Sequence, residues 1–530
     1  MLLVQVLSLR DSFPFLPYRD KNNTLIFPTG EFIGVYYSEE FKYARSLGYP
    51  GQFNYGLPLS GYLFENLMES PFVSFVSSLS ESRQKSPGLA RIFFVSLGCD
   101  KNLVDTCQMT GLLKAQGFVI TDDEDEADVV IINSCCFIGD AKQESIDTII
   151  RFGEKKESGK IKGLIVCGCL AQRYADEIRT LLPEVDALVG TTAIDSIISA
   201  VREALLGNDT EYIEDKDRYS YVKGQKEIPG LPHSAYLKIA EGCNKNCTYC
   251  VIPGVRGHYR SVPMEDLYGD AKDLADNGVR ELNLIAQETT VYGTDIYGRK
   301  SLHLLLKKLC SIEGIEWIRL LYCYPEEIYD ELTECIKEEP KICHYLDLPI
   351  QHCSDRILKL MGRRTDKKSL VKTIKKLRRE IPDIALRTTL ISGFPSETEE
   401  EHRELLDFVK DMRFDRLGCF AYSREEGTAA YDMPGQIHHA TKKRRVREIM
   451  EAQQKIAFET AAGYKGSCMR AMIEGRIPED GVYVARTYRD APEVDGYVFI
   501  TSGRRELMTG DMVRVKIDGA RGYDLTGVEM

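Results

Sequence analysis

From residue 91 onward the chain alternates two textures. Unbroken apolar runs of five or six residues, within RIFFVSLGC, ADVVIINSCC and KGLIVCGCL, are separated by helical stretches over 105–116 and on through residue 150. Short apolar runs alternating with helices predict a parallel sheet. A second series starts near residue 233, with strand candidates AYLKIAEG, RELNLIAQE, WIRLLYCYP, HYLDLPIQH, ALRTTLISGFP and LGCFAYS, spaced by helical stretches such as MEDLYGDAKDLADNG. Six such units predict a partial (βα)6 barrel whose site lies at the carboxyl ends of its strands. After a Lys- and Arg-rich helix over 441–458, the short strands SCMRAMIEG, GYVFIT, MVRVKIDGA and DLTGVEM, broken by Gly and Asp turns, predict a small antiparallel β-barrel. The fold class is α/β: an open parallel α/β sheet over 91–205, a polar linker over 206–232, the partial barrel over 233–460 and the small barrel over 463–530. The run KKRR at 442–445 reads as a solvated helix face.

Residues 1–90 break this pattern. They hold no cysteine and about a third of the chain's aromatics, and they end in the Ser-rich PFVSFVSSLSESRQKSPGLA. A small extra domain, a poorly ordered extension and a gene start placed too far upstream all fit, and no function is assigned to them. No apolar stretch approaches the roughly 20 residues of a bilayer span, and the amino terminus lacks the pattern of a secretory signal. The expected location is the cytoplasm, without membrane contact. A net charge of −12 opposes non-specific attraction to a phosphate backbone, so nucleic acid is not directly expected as a partner. Sixteen cysteines in a chain of that compartment point to metal binding or reactivity and away from disulfides.

Two cysteine sets stand at strand ends. Cys99, Cys135 and Cys169, spaced by 36 and 34 residues, each follow one of the first three strands, where ligands of open parallel sheets gather. Small buried core residues are the alternative reading. Cys243, Cys247 and Cys250 form CNKNCTYC directly after the first barrel strand. A structural zinc ion wants four ligands, and the nearest further donor, His258, lies beyond a Pro and two Gly. Three thiolates alone suit a four-iron cluster with one iron open to another ligand.

The spacing CxxxCxxC with Tyr249 before its last cysteine resembles the radical S-adenosylmethionine enzymes. RTTLISGFPSET over 387–398 is similar to the stretch with which that superfamily contacts the adenosyl group, which makes Gly393 and Glu397 candidate contacts. Gln287 and Glu288 after the second barrel strand, and Gln351 and His352 after the fourth, are further candidates. VSLGCDKNLVD, INSCCFIGDAKQESID and CGCLAQRY resemble the amino-terminal domain of the methylthiotransferases, and the last segment resembles their TRAM domain. The resemblance implies two 4Fe–4S clusters, on Cys243, Cys247 and Cys250 and on Cys99, Cys135 and Cys169, with S-adenosylmethionine cleaved at the first. Cys136 and Cys167 stand beside the second set, so which of the adjacent thiols binds iron stays open.

Within that family one branch modifies tRNA adenosine and another the β-carbon of an aspartate in ribosomal protein S12. The segment 463–530 carries 10 Lys plus Arg against 11 Asp plus Glu, a poor grip for RNA and a reasonable dock for a basic protein. LIAQETTVYG, YLDLPIQHCSD, FAYSREEGTAA and ARTYRDAPEVDG resemble the ribosomal-protein branch. The implied partners are ribosomal protein S12 as substrate and an unidentified electron donor. The tRNA-modifying activity is the runner-up, and a non-catalytic iron–sulfur carrier is the alternative of another class.

Overall fold

The computed structural model describes residues 18–19, 25–26, 90–219, 221–223, 233–478, 481–503 and 506–530. The chain divides into two compact units, Met1–Gly88 and Leu89–Met530. Of the first, an antiparallel pair of two-residue strands, Tyr18–Arg19 with Leu25–Ile26, is described. The remainder of the extension expected over 1–90 lies outside the described residues.

In the second unit, β1 (Arg91–Ser96), β2 (Val119–Ile120), β3 (Val129–Ser134), β4 (Gly163–Gly168), β5 (Ala187–Val189) and β6 (Thr210–Tyr212) form a parallel sheet in the order β2-β1-β3-β4-β5-β6. Every residue of β3 and β4 is buried, which is why their apolar runs are unbroken rather than alternating. Val130, Ile132, Leu164 and Val166 pack with Ile149 and Phe152 of α2 (Gly139–Glu157). Val129, Ile131 and Ile165 pack on the other face with Met109 and Leu113 of α1 (Asp100–Ala115). A short helix, α3 (Cys169–Arg173), follows β4 directly. The stretch expected as a linker from residue 206 needs correction, because its Thr210–Tyr212 pairs with β5 as the sheet's edge. An edge strand has one neighbour only and can be short and polar, so apolar patterning does not mark it.

The barrel strands are β7 (Ser234–Lys238), β8 (Glu281–Ile285), β9 (Trp317–Leu320), β10 (Ile342–Asp347), β11 (Ala385–Ser392) and β12 (Arg416–Ala421), paired in sequence order and all parallel. Leu282 and Leu284 pack with the surrounding helices. On the opposite face Ile285, Trp317, Tyr345 and Ala385 meet Val104 of α1 and Met472 and Ala491 of the closing domain. That face of the open barrel is therefore covered by both flanking domains.

Helix α4 (His439–Gly463) leads into β13 (Cys468–Ile477), β14 (Val482–Thr487), β15 (Val498–Thr501), β16 (Met512–Arg521) and β17 (Asp524–Glu529), closed in the order β13-β14-β15-β17-β16. The expected antiparallel barrel has one parallel pair, β15 with β17. Five strands cannot alternate direction around a closed ring, so one parallel neighbour is unavoidable. The domain is fastened to the partial barrel by Arg486 of β14, whose guanidinium lies 2.6 Å from Glu281, a carboxylate that also receives Arg319 at 3.0 Å. Among the described residues no helix is long and apolar enough to cross a membrane.

Candidate functional site

Cys99 stands at the amino end of α1, Cys135 directly after β3 and Cys169 at the start of α3. Adjacent parallel strands bring these ends together. Gly98 shows how closely: at φ +91° it takes a conformation that favours glycine, and a Cβ there would fall 2.6 Å from Cβ and 2.8 Å from Sγ of Cys135. Burial first, then the nearby charges of Cys169 and Cys99, push the Cys135 thiol up to about 12. Burial also raises Cys169, against the pull of Arg256. The two neighbouring thiols are turned into the core. Cys136 packs with Val130 and Ile132 and donates to the Cys169 carbonyl at 3.3 Å, and Cys167 packs on the α1 face and donates to Ile132 at 3.5 Å.

Cys243, Cys247 and Cys250 lie in the loop after β7. Gly242 opens it at φ +78°, where a Cβ would stand 2.0 Å from the His258 carbonyl oxygen, and Asn246 inside it is also left-handed at φ +54°. The loop is pinned by Cys243 N–H to Gly257 at 3.1 Å and Thr248 N–H to Met361 at 3.0 Å. Burial pushes Cys243 up to about 11 and Cys250 up to about 12, and the Cys250 thiol feels both Cys247 and Cys243. Tyr249 joins Phe394, Tyr422 and Met361 in one apolar cluster, so the cysteine loop and the loop around Gly393 meet.

Arg256 links the two sets. It ends the helix Ile252–Arg256, whose Val255 packs into the core of the first sheet together with Cys169. Its buried guanidinium donates to Asp105 at 2.8 Å and Asn102 at 2.6 Å on α1 and to Glu241 at 3.0 Å beside the cysteine loop. Asn102 Oδ1 is in turn 3.7 Å from Cys169 Sγ. On the barrel side Gln287 Nε2 donates to Glu241 at 2.5 Å. An unbroken polar chain thus runs from Cys169 to Gln287.

Buried polar atoms without a hydrogen-bond partner collect at the barrel strand ends: Gln287 Oε1, Glu288 Oε2, Gln351 Oε1, His352 Nε2 and Ser392 Oγ, with Tyr259 OH nearby. Buried polar groups are as a rule hydrogen-bonded, so this concentration marks a place built for a polar guest. Burial lifts Glu288 to about 7 despite Lys245 at 3.8 Å. Asn244, Lys245, Tyr259 and Glu288 line a cavity of about 210 Å³ beside the cysteine loop.

Two of the expected contacts are tied into their own loop. Glu397 Oε2 accepts from the N–H groups of Gly393 at 2.6 Å and Phe394 at 3.1 Å, and Oε1 accepts from Arg445 at 2.9 Å. Its carboxylate shapes its own loop. Gly393, at φ +77°, sits against Lys442, whose Cγ would lie 2.5 Å from an added Cβ. The expectation of a solvated KKRR face holds for Lys443 and is corrected for two of the four: Lys442 donates to the Tyr422 carbonyl at 2.8 Å and is buried with Arg445. Sequence reasoning missed Lys101, Asn102, Arg256, Ser392 and Tyr322. Arg256 sits only six residues past Cys250, and its role depends on a carboxylate and an amide from another domain.

The donor sets fit clusters. Among the described residues no three His, Cys, Asp or Glu side chains converge to hold one ion, and a four-iron cluster does not require it, since each thiolate takes a different iron. Buried thiols that hold their protons at neutral pH ionise when a metal takes the proton's place.

Comparison with known proteins follows the same divisions. Residues 91–190 match the uncharacterized protein family UPF0004, 237–409 the radical SAM superfamily and 466–529 the TRAM domain. Residues 4–89 match a family described as DNA polymerase type B, organellar and viral, so the composition break near residue 90 is also a boundary between matches. A radical S-adenosylmethionine methyltransferase, TsrM, from Kitasatospora setae shares a TM-score of 0.47 and 12% identity over 72% of this chain and 76% of its own, too distant to inform the chemistry. The ribosomal protein uS12 methylthiotransferase RimO of Lachnoclostridium phytofermentans is 57% identical over 82% of this chain and 99% of its own length. That of Clostridioides difficile is 47% identical over 83% and 98%. With identity of this order across all three domains of the second unit, the chain belongs to the ribosomal protein uS12 methylthiotransferase family, whose members use S-adenosylmethionine and 4Fe–4S clusters.

Proposed function

We propose that this chain adds a methylthio group to the β-carbon of an aspartate of ribosomal protein uS12, with one cluster held by Cys243, Cys247 and Cys250 and a second by Cys99, Cys135 and Cys169. The observation that supports the reading is that Arg256 joins the strand ends of the two sheets on which the cysteine sets stand, through Asp105 and Asn102 on one side and Glu241 on the other. Cys135 and Cys169 are favoured over Cys136 and Cys167 because the sulfurs of the latter pair are spent on backbone carbonyls, whereas Cys169 Sγ faces Asn102 and Cys135 Sγ lies against Gly98, beside Cys99. When bound, a cluster whose fourth iron has no protein thiolate supplies, with S-adenosylmethionine, the one-electron chemistry that opens an unactivated C–H bond.

The chain's own residues do the rest. Arg256 offers positive charge beside Cys169, and the positive end of the α1 dipole faces the same place. Tyr249, Phe394 and Tyr422 keep water from the barrel's cysteine loop. Glu397 and Arg445 hold the Gly393 loop in shape. Gln287, Glu288, Gln351, His352 and Ser392 present the unpartnered polar atoms available to the cofactor or substrate. Electrons have to come from a separate donor protein or reductant. The acidic chain and a closing segment without basic excess suit a basic protein partner. The tRNA-modifying and cluster-carrier alternatives gain nothing from the relatives.

The test is incubation of the reconstituted full chain, reductant and S-adenosylmethionine with a peptide from the uS12 loop that carries the aspartate. The peptide should gain the mass of one methylthio group on that residue. An unmodified peptide alongside a modified tRNA adenosine would refute the proposal.

A further inference from the structure

Lys101 is the one buried basic side chain among the described residues that has neither a hydrogen bond nor an ion pair. It is 5% exposed. The other buried cations are all engaged: Arg256 with Asp105, Arg319 and Arg486 with Glu281, Arg363 with Glu326, Arg445 with Glu397, Arg489 with Asp415 and Lys442 with a carbonyl. Its stem is buried and its ammonium has an aromatic face against it where the others have an oxygen, so it is free to meet an anion that reaches it.

Its surroundings say what that use is. Lys101 is in the first turn of α1, two residues after Cys99, and its Nζ lies over the Tyr322 ring, 2.8 Å from the centroid. Tyr322 follows β9 at the carboxyl end of the barrel, in a left-handed conformation at φ +59° of the kind that collects at functional sites. It is held there by its hydroxyl on Asp100 at 3.0 Å and its N–H on Asp347 at 3.1 Å. The charged groups facing Lys101 are Cys99, Asp100, Asp347 and Glu241. Asp100 is engaged by Tyr322, Asp347 by Arg387 and Tyr322, and Glu241 by Lys238, Arg256 and Gln287. The ammonium therefore stands unclaimed between the first-sheet cysteines and the mouth of the barrel.

We infer that Lys101 binds the side-chain carboxylate of the substrate aspartate, with the Tyr322 ring as its rest when no substrate is present. The inference rests on the reading that the substrate is an aspartate of uS12. The carboxylate is bonded to the very carbon that gains the methylthio group. A cation fixing it holds that carbon between the two cysteine sets, and such positioning of a reacting atom is worth much of a barrier. Lys101 is thus a specificity and positioning residue, and an amide in place of the acid would offer it an acceptor but no countercharge.

The test compares two fluorescent peptides from the uS12 loop, one with the aspartate and one with asparagine in its place. Their binding to the reconstituted full chain is measured by anisotropy for the unchanged protein, Lys101→Met and Lys101→Arg. The unchanged protein should prefer the aspartate peptide by about 10- to 100-fold, the range of one charge-assisted hydrogen bond. Lys101→Met should bring the ratio close to one, and Lys101→Arg should restore part of it. The ratio is internal to each variant, so a partly unfolded preparation does not distort it. If Lys101→Met keeps the preference, or changes only the iron content or the cluster potential, Lys101 serves the cluster at Cys99 and the inference is wrong. If the unchanged protein neither binds nor modifies the aspartate peptide, the substrate reading itself has failed.

Discussion

Glu288→Gln isolates the electrostatic cost of the barrel's strand-end site. Glu288 is buried at 1% exposure, with Oε1 accepting from Thr290 N–H at 3.0 Å and Oε2 without a hydrogen bond, 3.8 Å from the Lys245 ammonium. Burial raises it from 4.5 to about 7. Because the folded-state value lies above the unfolded one, the proton is held more tightly in the native chain. Below about pH 4.5 both states are protonated and the group costs nothing. As pH rises through 7 the unfolded chain has long released its proton, and native stability is lost. At 1.36 kcal/mol per pH unit the full difference is about 3 kcal/mol, of which about 2.5 kcal/mol falls between pH 5 and pH 8. Gln keeps the acceptor for Thr290 and removes the charge. The variant should therefore match the unchanged protein at pH 5 to within about 1 kcal/mol and exceed it by about 2–3 kcal/mol at pH 8. For the compact unit Leu89–Met530 that corresponds to a melting difference of about 2–3 °C, read by calorimetry on the chain free of iron and S-adenosylmethionine. The same pH dependence in both proteins would mean that Glu288 is solvated or firmly paired with Lys245, and the reasoning would fail.

Replacing Cys243, Cys247 and Cys250 together by Ala should leave a protein that reconstitutes about half of the iron of the unchanged chain and forms no 5'-deoxyadenosine, by iron assay and chromatography. Normal cleavage would overturn the assignment. The triple Ala variant of Cys99, Cys135 and Cys169 should lose thiolation while keeping reductive cleavage, and a total near four irons in the unchanged, fully reconstituted chain would leave no room for two clusters. Arg445→Met uncouples Glu397 from the guanidinium at 2.9 Å and should destabilise the chain by about 3–5 kcal/mol in denaturant titrations. It should also weaken S-adenosylmethionine binding in equilibrium dialysis, and unchanged binding would remove the Gly393 loop from the cofactor's surroundings.

The local pattern was sufficient for the parts of this protein whose chemistry is written in neighbouring residues. Buried strands such as β3 and β4 announce themselves because both faces are apolar, and their carboxyl ends place Cys135 and Cys169 without any tertiary information. CNKNCTYC carries its own geometry in a single loop. The two-residue strand β2 and the polar edge β6 were not legible, since an edge needs only backbone pairing. KKRR could be read correctly only in part: whether a cation faces water or a carbonyl depends on what packs over the helix, and here Tyr422 and Glu397 do. The partners of Glu397, its own loop and a helix about fifty residues on, are likewise not written in its motif. The same holds for Arg256 and Lys101, ordinary in sequence. One is engaged and the other left unpaired only because folding lays α1 against the open face of the barrel, bringing together charges about 150 to 220 residues apart.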